Sequence, residues 1–398
     1  MTAYTYFRPE YVGKFQCDGT TCGNNCCELS WNIFIDAATY ENYSQHYPQI
    51  AEHIKFDDAK KQYVIVHDER GRCPFLTEKK LCRLQLEHGA DFLSTTCALY
   101  PRITYNFGKF LEQSMTLTCP TVAEMVLFGR EPLKFELVTV PTRKLGFNKL
   151  EVPEKFREHM IDIQVAEISI LQERTLTIDQ RLIVLGFFLE RLEKISADEL
   201  NIDALIKLIA AYESKNFLAS EVPSMLASVH FNALNFVGLM LKIFESLYSV
   251  MHLESGRRFV NAVAETLQLK PDENNSVSAA SVAARYENLA AERKNFSASY
   301  ATFLENYLVN NLFTNCYPWR FLASIMQNYA MFAATYKVFD LLTFAAVSNG
   351  LGGKDDLLKL VEFFTTQTDH MYGFREKIFD NIKHICEPVA IMNAFLEP

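Results

Sequence analysis

The sequence lacks several features that define large classes of proteins. The most apolar stretch, Phe332 to Val347, is interrupted by Lys337 and Asp340, so we expect no transmembrane helix and no membrane insertion. Positive charge is not in excess: the formal net charge is -9, which argues against nucleic acid as a partner. The first 15 residues contain no basic segment followed by an apolar one. We therefore expect a cytoplasmic protein.

The common catalytic and nucleotide-binding motifs are also missing. The sequence contains no G-x-S-x-G, no H-E-x-x-H and no protein-kinase set. The glycine-rich segment Gly350 to Lys354 follows a long helical pattern rather than a strand. It is interpreted as a helix end and turn, not as a phosphate-binding loop. No catalytic residue is identified from motifs.

Cysteine is scarce along most of the chain and concentrated near its start. Only Cys316 and Cys386 lie beyond residue 119. A cysteine used as a small core residue would follow the apolar pattern of the whole chain. The first third is therefore expected to be built around sulfur chemistry, with a subset of four cysteines as metal ligands. The candidates are Cys17, Cys22, Cys26, Cys27, Cys73, Cys82, Cys97 and Cys119.

Disulfides, zinc and an iron-sulfur centre could each explain this cluster. Disulfides are disfavoured because the cytosol keeps thiols reduced. Structural zinc usually takes two closely spaced ligand pairs; Cys17 and Cys22 could form one, but Cys73 and Cys82 are widely spaced and Cys26 is adjacent to Cys27. An iron-sulfur cluster takes four thiolates and accepts less regular spacing. We favour a 4Fe-4S cluster, with zinc as the alternative.

The pattern of apolar residues predicts a mainly α protein. A cysteine-rich α+β module around a metal centre, residues 1–130, precedes an all-helical C-terminal domain, residues 156–398. The segment 131–155 is predicted to be a linker because it contains three prolines and few helix-forming runs. In the module, strands are expected at Trp31–Asp36, Tyr63–His67 and Gln113–Leu117, and a helix at Ala38–His53.

Apolar residues at helical spacing continue to the end of the chain. Helices are predicted at about Ile202–Tyr212, Pro223–Leu253, Arg257–Leu269, Val277–Leu308, Pro318–Asn349, Lys354–Gln367 and Phe374–Leu396.

Two short cysteine motifs are typical of ligand-bearing turns. In Cys73-Pro-Phe-Leu the proline restricts the loop after the thiol, and the alternative is a solvent-facing turn with a buried cysteine. The second motif runs from Cys97 through Tyr100 and Pro101 to Arg102. Arg102 could stabilise a thiolate or an anionic cofactor, although an arginine in a surface ion pair is commoner.

These motifs in combination resemble a known family. The pattern Phe15-x-Cys17, Cys22, Cys26-Cys27, Cys73-Pro-Phe-Leu76, Leu81-Cys82 and Cys97-x-x-Tyr100-Pro101 is similar to the cysteine-rich zinc- or iron-chelating domains. With the segment Trp31–Asp36, the sequence Thr96-Cys97-Ala-Leu-Tyr100-Pro-Arg102 and a helical C-terminal region, it resembles the bacterial flagellin lysine N-methylases. The motifs cover about the first 120 residues.

The resemblance implies methyl transfer from S-adenosylmethionine to lysines of flagellin. Tyr100 and Arg102 are the candidate cofactor-binding residues, and Tyr100, Tyr105 and Phe107 could line a lysine pocket, although core packing explains them equally well. The triad of radical S-adenosylmethionine enzymes is not matched, because Leu29 stands where its third cysteine is required. We therefore expect the centre to organise the module without redox turnover.

Two other functions fit the residues without methyl transfer. One is a metal-dependent scaffold or binding protein, in which the cysteine module presents the helical domain to a partner. The other is an iron-sulfur redox protein.

Overall fold

The structure, a computed structural model, divides into two compact units. The first comprises residues 1–125 and 134–149, and the second comprises residues 126–133 and 150–398. The described residues are 2–17, 26–27, 32–142, 144–150, 152–197, 199–250, 254–269, 277–370, 373–385 and 387–398. The predicted linker, 131–155, is thus shared between the units, while the predicted domain functions stay predictions.

The described part of the first unit contains two sheets. Its strands are β1 (Thr2–Pro9), β2 (Phe34–Ile35), β3 (Ile54–Asp57), β4 (Gln62–Ile65), β5 (Arg102–Asn106), β6 (Leu111–Met115) and β7 (Phe135–Thr142). The larger sheet has the order β5-β6-β1-β7, and the smaller has the order β2-β4-β3. In the larger sheet β1 is parallel to β6 and antiparallel to β7.

The longest strand pairing joins the two ends of the first unit. Strands β1 and β7 pair along their whole length, from Thr2 opposite Thr142 to Pro9 opposite Phe135. Because β7 is an edge strand, it tolerates Pro141, which has no N–H to donate. The predicted strands overlap β2, β4 and β6. Strand β7 lies inside the predicted linker and was not expected, because its partner is more than a hundred residues away.

Short helices connect these strands. They are α1 (Tyr11–Lys14), α2 (Ala37–His46), α3 (Pro48–Ala51), α4 (Arg83–His88), α5 (Thr95–Leu99) and α6 (Pro120–Leu127). The predicted helix Ala38–His53 is divided into α2 and α3 at Tyr47, because Pro48 cannot continue α2 and instead starts α3.

The described part of the second unit is helical. Its helices are α7 (Glu154–Arg157), α8 (Met160–Leu171), α9 (Ile178–Ile195), α10 (Ile202–Glu213), α11 (Lys215–Ala227), α12 (Ala233–Val250), α13 (Glu254–Thr266), α14 (Ala279–Asn288), α15 (Ala290–Ser299), α16 (Ala301–Thr314), α17 (Ile325–Ser348), α18 (Lys354–Asp369), α19 (Phe374–Ile382) and α20 (Pro388–Phe395). The prediction of a mainly α protein is confirmed.

Three predicted helices of the second unit are also divided in the structure. The pattern at 277–308 continues through α14, α15 and part of α16, with breaks at Leu289 and Tyr300. The helix predicted from Pro223 is divided between α11, which ends at Ala227, and α12, which begins at Ala233; Pro223 lies inside α11 rather than at a helix start. The helix predicted from Phe374 is divided between α19, which ends at Ile382, and α20, which begins at Pro388. Apolar spacing persists across such bends, so it identifies the buried face but not the breaks.

Helix α17 forms the centre of the second unit. Among the described helices it alone has the length and apolar composition to cross a membrane. Of its most apolar 18-residue stretch, 89% is buried inside the protein. A helix that is apolar on all sides belongs in a core.

The buried Lys337 of α17 donates to both carboxylate oxygens of Asp179, at 2.9 and 3.1 Å, and lies 3.6 Å from Asp340. The charges that interrupt the apolar run are thus paired internally.

A second buried ion cluster links the loop between α8 and α9, helix α9 and helix α16. Glu305 accepts hydrogen bonds from Arg181 Nη1 at 2.8 Å and from Arg174 Nη2 at 2.9 Å. The side chains of Glu305 and Arg181 are only 2% and 6% exposed, whereas that of Arg174 is 47% exposed. Removing Glu305 would leave Arg181 as a buried charge without its carboxylate.

Glu305→Gln should therefore lower the free energy of unfolding by about 3 kcal/mol or more, because breaking a buried pair leaves an uncompensated charge. Arg174→Gln is the matched control, and it should cost about 1 kcal/mol or less because its side chain is solvated. Urea unfolding followed by circular dichroism measures both. Equal costs for the two variants would contradict the assignment of Glu305 as the buried hub.

Candidate functional site

Several of the predicted ligands converge on one apolar core in the first unit. Cys73 belongs to this core, and Cys27, Cys82 and Cys97 pack against it. The core is formed by the smaller sheet and the helices around it, with Tyr43, Phe75 and Leu93 among its buried members. Residues from four separate parts of the chain are thereby brought together. Clustering in sequence is matched by clustering in space.

Backbone hydrogen bonds fix the loops that carry Cys27, Cys73 and Cys82. The N–H of Cys73 donates to the carbonyl of Cys27 at 2.8 Å, which joins the Cys26–Cys27 turn to the loop after β4. That loop closes on itself: Leu76 bridges to Cys82 in antiparallel fashion. The two halves of the predicted turn, Cys73 and Cys82, therefore face the same core.

The thiols of this group are electrostatically linked. Cys27 donates side-chain hydrogen bonds to Cys26 and Cys73, which raise the pKa of Cys27 and lower the pKa of both acceptors. The three sulfur atoms thus form one hydrogen-bonded group in which Cys27 is the central proton donor. Thiolates are soft donors, the ligand type that zinc and iron-sulfur clusters take.

Cys82 and Cys97 lie next to this group. Burial raises the pKa of the Cys82 thiol, and the charge of Cys73 adds to the effect. Burial also raises the pKa of Cys97, to about 12, with further contributions from Cys73, Cys82 and Cys26. The N–H of Cys97 donates to Ser94 Oγ at 3.3 Å, which caps α5. Five predicted ligands therefore share one electrostatic environment.

Two other predicted ligands lie beside the larger sheet. Cys119 precedes α6 and is buried, which raises the pKa of its thiol to about 11; the charges of Cys17 and Cys26 add to this.

Among the residues described, no group of three or more His, Cys, Asp or Glu side chains has the separations of a single-ion site. Cys22, Leu29, Trp31 and Cys386 lie outside the described residues.

Tyr100 and Arg102 flank a cis peptide bond between Tyr100 and Pro101. Tyr100 Oη donates to Thr118 Oγ1 at 3.4 Å. The Arg102 guanidinium lies 5.4 Å from the centre of the Phe15 ring; burial lowers its pKa, as does the charge of Arg8. Cys17 is close enough for its charge to raise that pKa. Arg102 is thus half-buried beside the Cys17 segment, and its role in cofactor binding stays a prediction.

Asp36 is a supporting residue that motif analysis did not assign. Its carboxylate accepts hydrogen bonds from the N–H groups of Thr39 and Thr95, both at 3.0 Å. The first bond caps α2, and the second holds the start of α5, the helix that carries Cys97. Burial alone would raise the pKa of Asp36, but these hydrogen bonds lower it to about 2. Its signal in the sequence is an aspartate directly before a helical pattern.

The fold and the thiol cluster together define a mainly helical protein with a cysteine-rich first unit. The chain belongs to the FliB lysine N-methylase C-terminal domain family, whose family model matches residues 165–393, more than half of the chain. The family resemblance is thereby confirmed for the helical part. The resemblance of the first 120 residues to chelating domains stays a prediction.

Curated relatives agree with this family. The chain is 31% identical over 135 residues to the flagellar biosynthetic protein FliU of Salmonella muenchen, an alignment that covers 32% of this chain and 79% of that protein. It is 32% identical over 135 residues to the lysine-N-methylases of Salmonella typhimurium and Salmonella choleraesuis, again over 32% of this chain. The alignment spans only 33% of each of those two enzymes. No solved structure matches the chain.

Asp36→Ala should lower the free energy of unfolding by about 1 to 2 kcal/mol, because the start of α2 loses its cap and α5 loses its anchor. Asp36→Asn is the control that keeps an N-cap acceptor and should cost less. Urea unfolding at neutral pH measures both. A cost of Asp36→Ala no larger than that of an exposed substitution would contradict this role.

The Asp36 carboxylate also makes the stability of the fold depend on pH. Its pKa is lower in the folded protein than the ordinary 3.8, so its ionised form stabilises the fold above that value, and the contribution is lost as the pH falls toward 2. The difference in stability between the wild-type protein and Asp36→Asn should therefore shrink below pH 3.8.

Proposed function

We propose that this protein transfers methyl groups from S-adenosylmethionine to lysine ε-amino groups, with flagellin as the protein substrate. The observation that carries the proposal is membership of the lysine N-methylase family over residues 165–393. The flagellar target is supported by the name of the relative FliU, a flagellar biosynthetic protein. We further propose that this methylation takes place in the cytoplasm, before flagellin is exported.

The reaction is a displacement at carbon. The lone pair of a neutral lysine nitrogen forms the new C–N bond as the bond from the methyl carbon to the sulfonium sulfur breaks, and S-adenosylhomocysteine leaves. The nitrogen then loses one proton to solvent or to a base. Because only the neutral amine attacks, an apolar surrounding that lowers the lysine pKa assists the reaction.

We further propose that the thiol cluster holds a 4Fe-4S centre, with zinc as the alternative. The proposal is supported by the type and proximity of the donors: Cys26, Cys27 and Cys73 form one hydrogen-bonded sulfur group, and Cys82 and Cys97 share its environment. A cluster requires four thiolates, so these five contain enough donors. Cys17, Cys22 and Cys119 complete the candidate set. When bound, such a centre ties together the loops of the first unit, since metal binding contributes to folding.

Cys73→Ser should abolish or strongly reduce the content of iron and acid-labile sulfide, or of zinc, because it removes a thiol that accepts from Cys27. Cys316→Ser is the matched control: Cys316 is also buried, but it lies in the second unit against Gln164. It should keep full metal content and cost only about 1 to 3 kcal/mol. Metal and sulfide analysis with absorption spectra of anaerobically purified protein measures both. Full metal content in both variants would rule out Cys73 as a ligand.

Methylation itself is tested with purified protein, isotopically methyl-labelled S-adenosylmethionine and flagellin. Labelled methyl groups should appear on flagellin lysines by mass spectrometry, and omission of the enzyme should abolish them. Transfer that proceeds without a reductant would support simple displacement, whereas strict dependence on one would replace the structural role of the centre by a redox role.

Failure of transfer also has distinct meanings. A protein that neither binds S-adenosylmethionine nor methylates flagellin would be a scaffold. A reversible absorption change on reduction, without methyl transfer, would identify an electron-transfer protein instead.

A further inference from the structure

The second unit contains a charged cavity, and none of the described residues that line it is a cysteine. Its volume is about 310 Å³, at the lower end of the range typical of ligand pockets. The loop before α17, the end of α18 and the first turn of α19 contribute to its walls. Its lining includes two cations, two carboxylates and apolar side chains: Arg320, Arg375, Asp369, Glu376, Phe321 and Met331. All of these residues lie within the part of the chain that the family model matches.

Arg375 is held in place by a carboxylate and by aromatic side chains. Its Nη2 donates to Asp369 Oδ1 at 2.7 Å, and its guanidinium lies 3.9 Å from the centre of the Phe321 ring. Its side chain is only 13% exposed. Nε and Nη1 are buried, and the guanidinium also interacts with the hydroxyl of Tyr317, which burial keeps uncharged. Hydrogen bonds to a charged acceptor are stronger than those to a neutral one, so an anionic acceptor in the cavity would stabilise these donors further.

The charges of the cavity suit a ligand that carries both signs. Arg320 and Arg375 balance Asp369 and Glu376, while burial lowers the pKa of His370 and keeps this wall residue neutral at pH 7. A simple anion would be attracted by the arginines but repelled by the carboxylates. A zwitterion satisfies both groups. The first turn of α19, where Arg375 and Glu376 lie, adds a partial positive charge that favours a carboxylate.

We propose that this cavity binds the amino-acid end of the methyl donor. Its α-carboxylate accepts from Arg375, its α-ammonium group donates to the carboxylates of Glu376 and Asp369, and the apolar walls contact the methylene groups. The inference rests on the proposed function, because that function supplies a ligand with an α-amino-acid end. It assigns Arg375 and Glu376 as binding residues, and no cysteine is required for this contact.

The test compares two ligands that differ in this end alone. The sulfur of S-adenosylhomocysteine carries a 3-amino-3-carboxypropyl chain, which includes the α-amino-acid group, and 5′-methylthioadenosine carries a methyl group in place of that chain. Isothermal titration calorimetry with the intact protein should show that Arg375→Lys weakens S-adenosylhomocysteine by at least about tenfold, because the guanidinium fork is lost. The affinity for 5′-methylthioadenosine should stay unchanged.

Arg293→Lys is the matched control. Arg293 also lies over a ring, 3.7 Å from the centre of Tyr286, and pairs with a carboxylate, Glu397, at 2.7 Å. Its side chain is 17% exposed, but it does not line the cavity. This variant should leave both affinities unchanged. Glu376→Gln, at an exposed position of α19, should weaken the binding of S-adenosylhomocysteine selectively and tests the assignment if Arg375→Lys does not fold.

The outcomes separate the two proposals. If the wild-type protein binds S-adenosylhomocysteine but both cavity variants bind the two ligands as the wild type does, the cavity assignment is wrong and the methyl-transfer proposal stands. Equal losses for both ligands, or the same loss in Arg293→Lys, would mean a structural role for Arg375 and would also overturn the assignment. If the wild-type protein binds neither ligand, the methyl-donor proposal fails and the cavity assignment fails with it.

Discussion

Each charge that is removed from water needs a partner, and this constraint explains the interior of both units. In the second unit, Glu305 lies between two arginines and Lys337 lies between two aspartates. These pairs allow the long apolar helix α17 and its neighbours to pack around ionised groups whose isolated burial would cost several kcal/mol. Arg375 meets the same constraint only in part. It pairs with one carboxylate, Asp369, and with the uncharged hydroxyl of Tyr317, and a cavity lies beside it. This cavity, rather than the other ion pairs, therefore suggests a ligand.

The first unit meets the constraint with sulfur. Burial raises the pKa values of Cys82 and Cys97, so these thiols favour the neutral form where they lie. Cys27 is protonated and donates to its two neighbours. A bound cation would reverse this preference, since a metal ion stabilises coordinating thiolates. The cluster is therefore arranged so that the proposed centre and the thiolate forms of its ligands would stabilise each other.

The sequence predicted the mainly helical class because helical spacing is a local property. Breaks such as Leu289 and Tyr300 were not predicted, because the apolar pattern continues through them. Strand β7 was not predicted either: its pairing with β1 is determined by residues at the opposite end of the first unit, and Pro141 suggested a linker. The clustering of cysteines indicated where sulfur chemistry is concentrated, but only the hydrogen bonds around Cys27 distinguish the central group from Cys17 and Cys119. The sequence did not identify Arg375 as a binding residue, because its cavity is formed by three segments that are far apart in the sequence and follow no common spacing.

The path of the chain ties the proposed roles to an intact protein. It leaves the first unit after residue 125, returns at residue 134 and leaves again after residue 149. A cut near residue 130, suggested by the cysteine distribution, would remove β7 from the larger sheet and leave β1 without its longest partner. The N–H and C=O groups of β1 would then form an unpaired edge. The cysteine cluster and the charged cavity are thus separable by substitution but not by truncation, and their contributions are best assigned in the full chain.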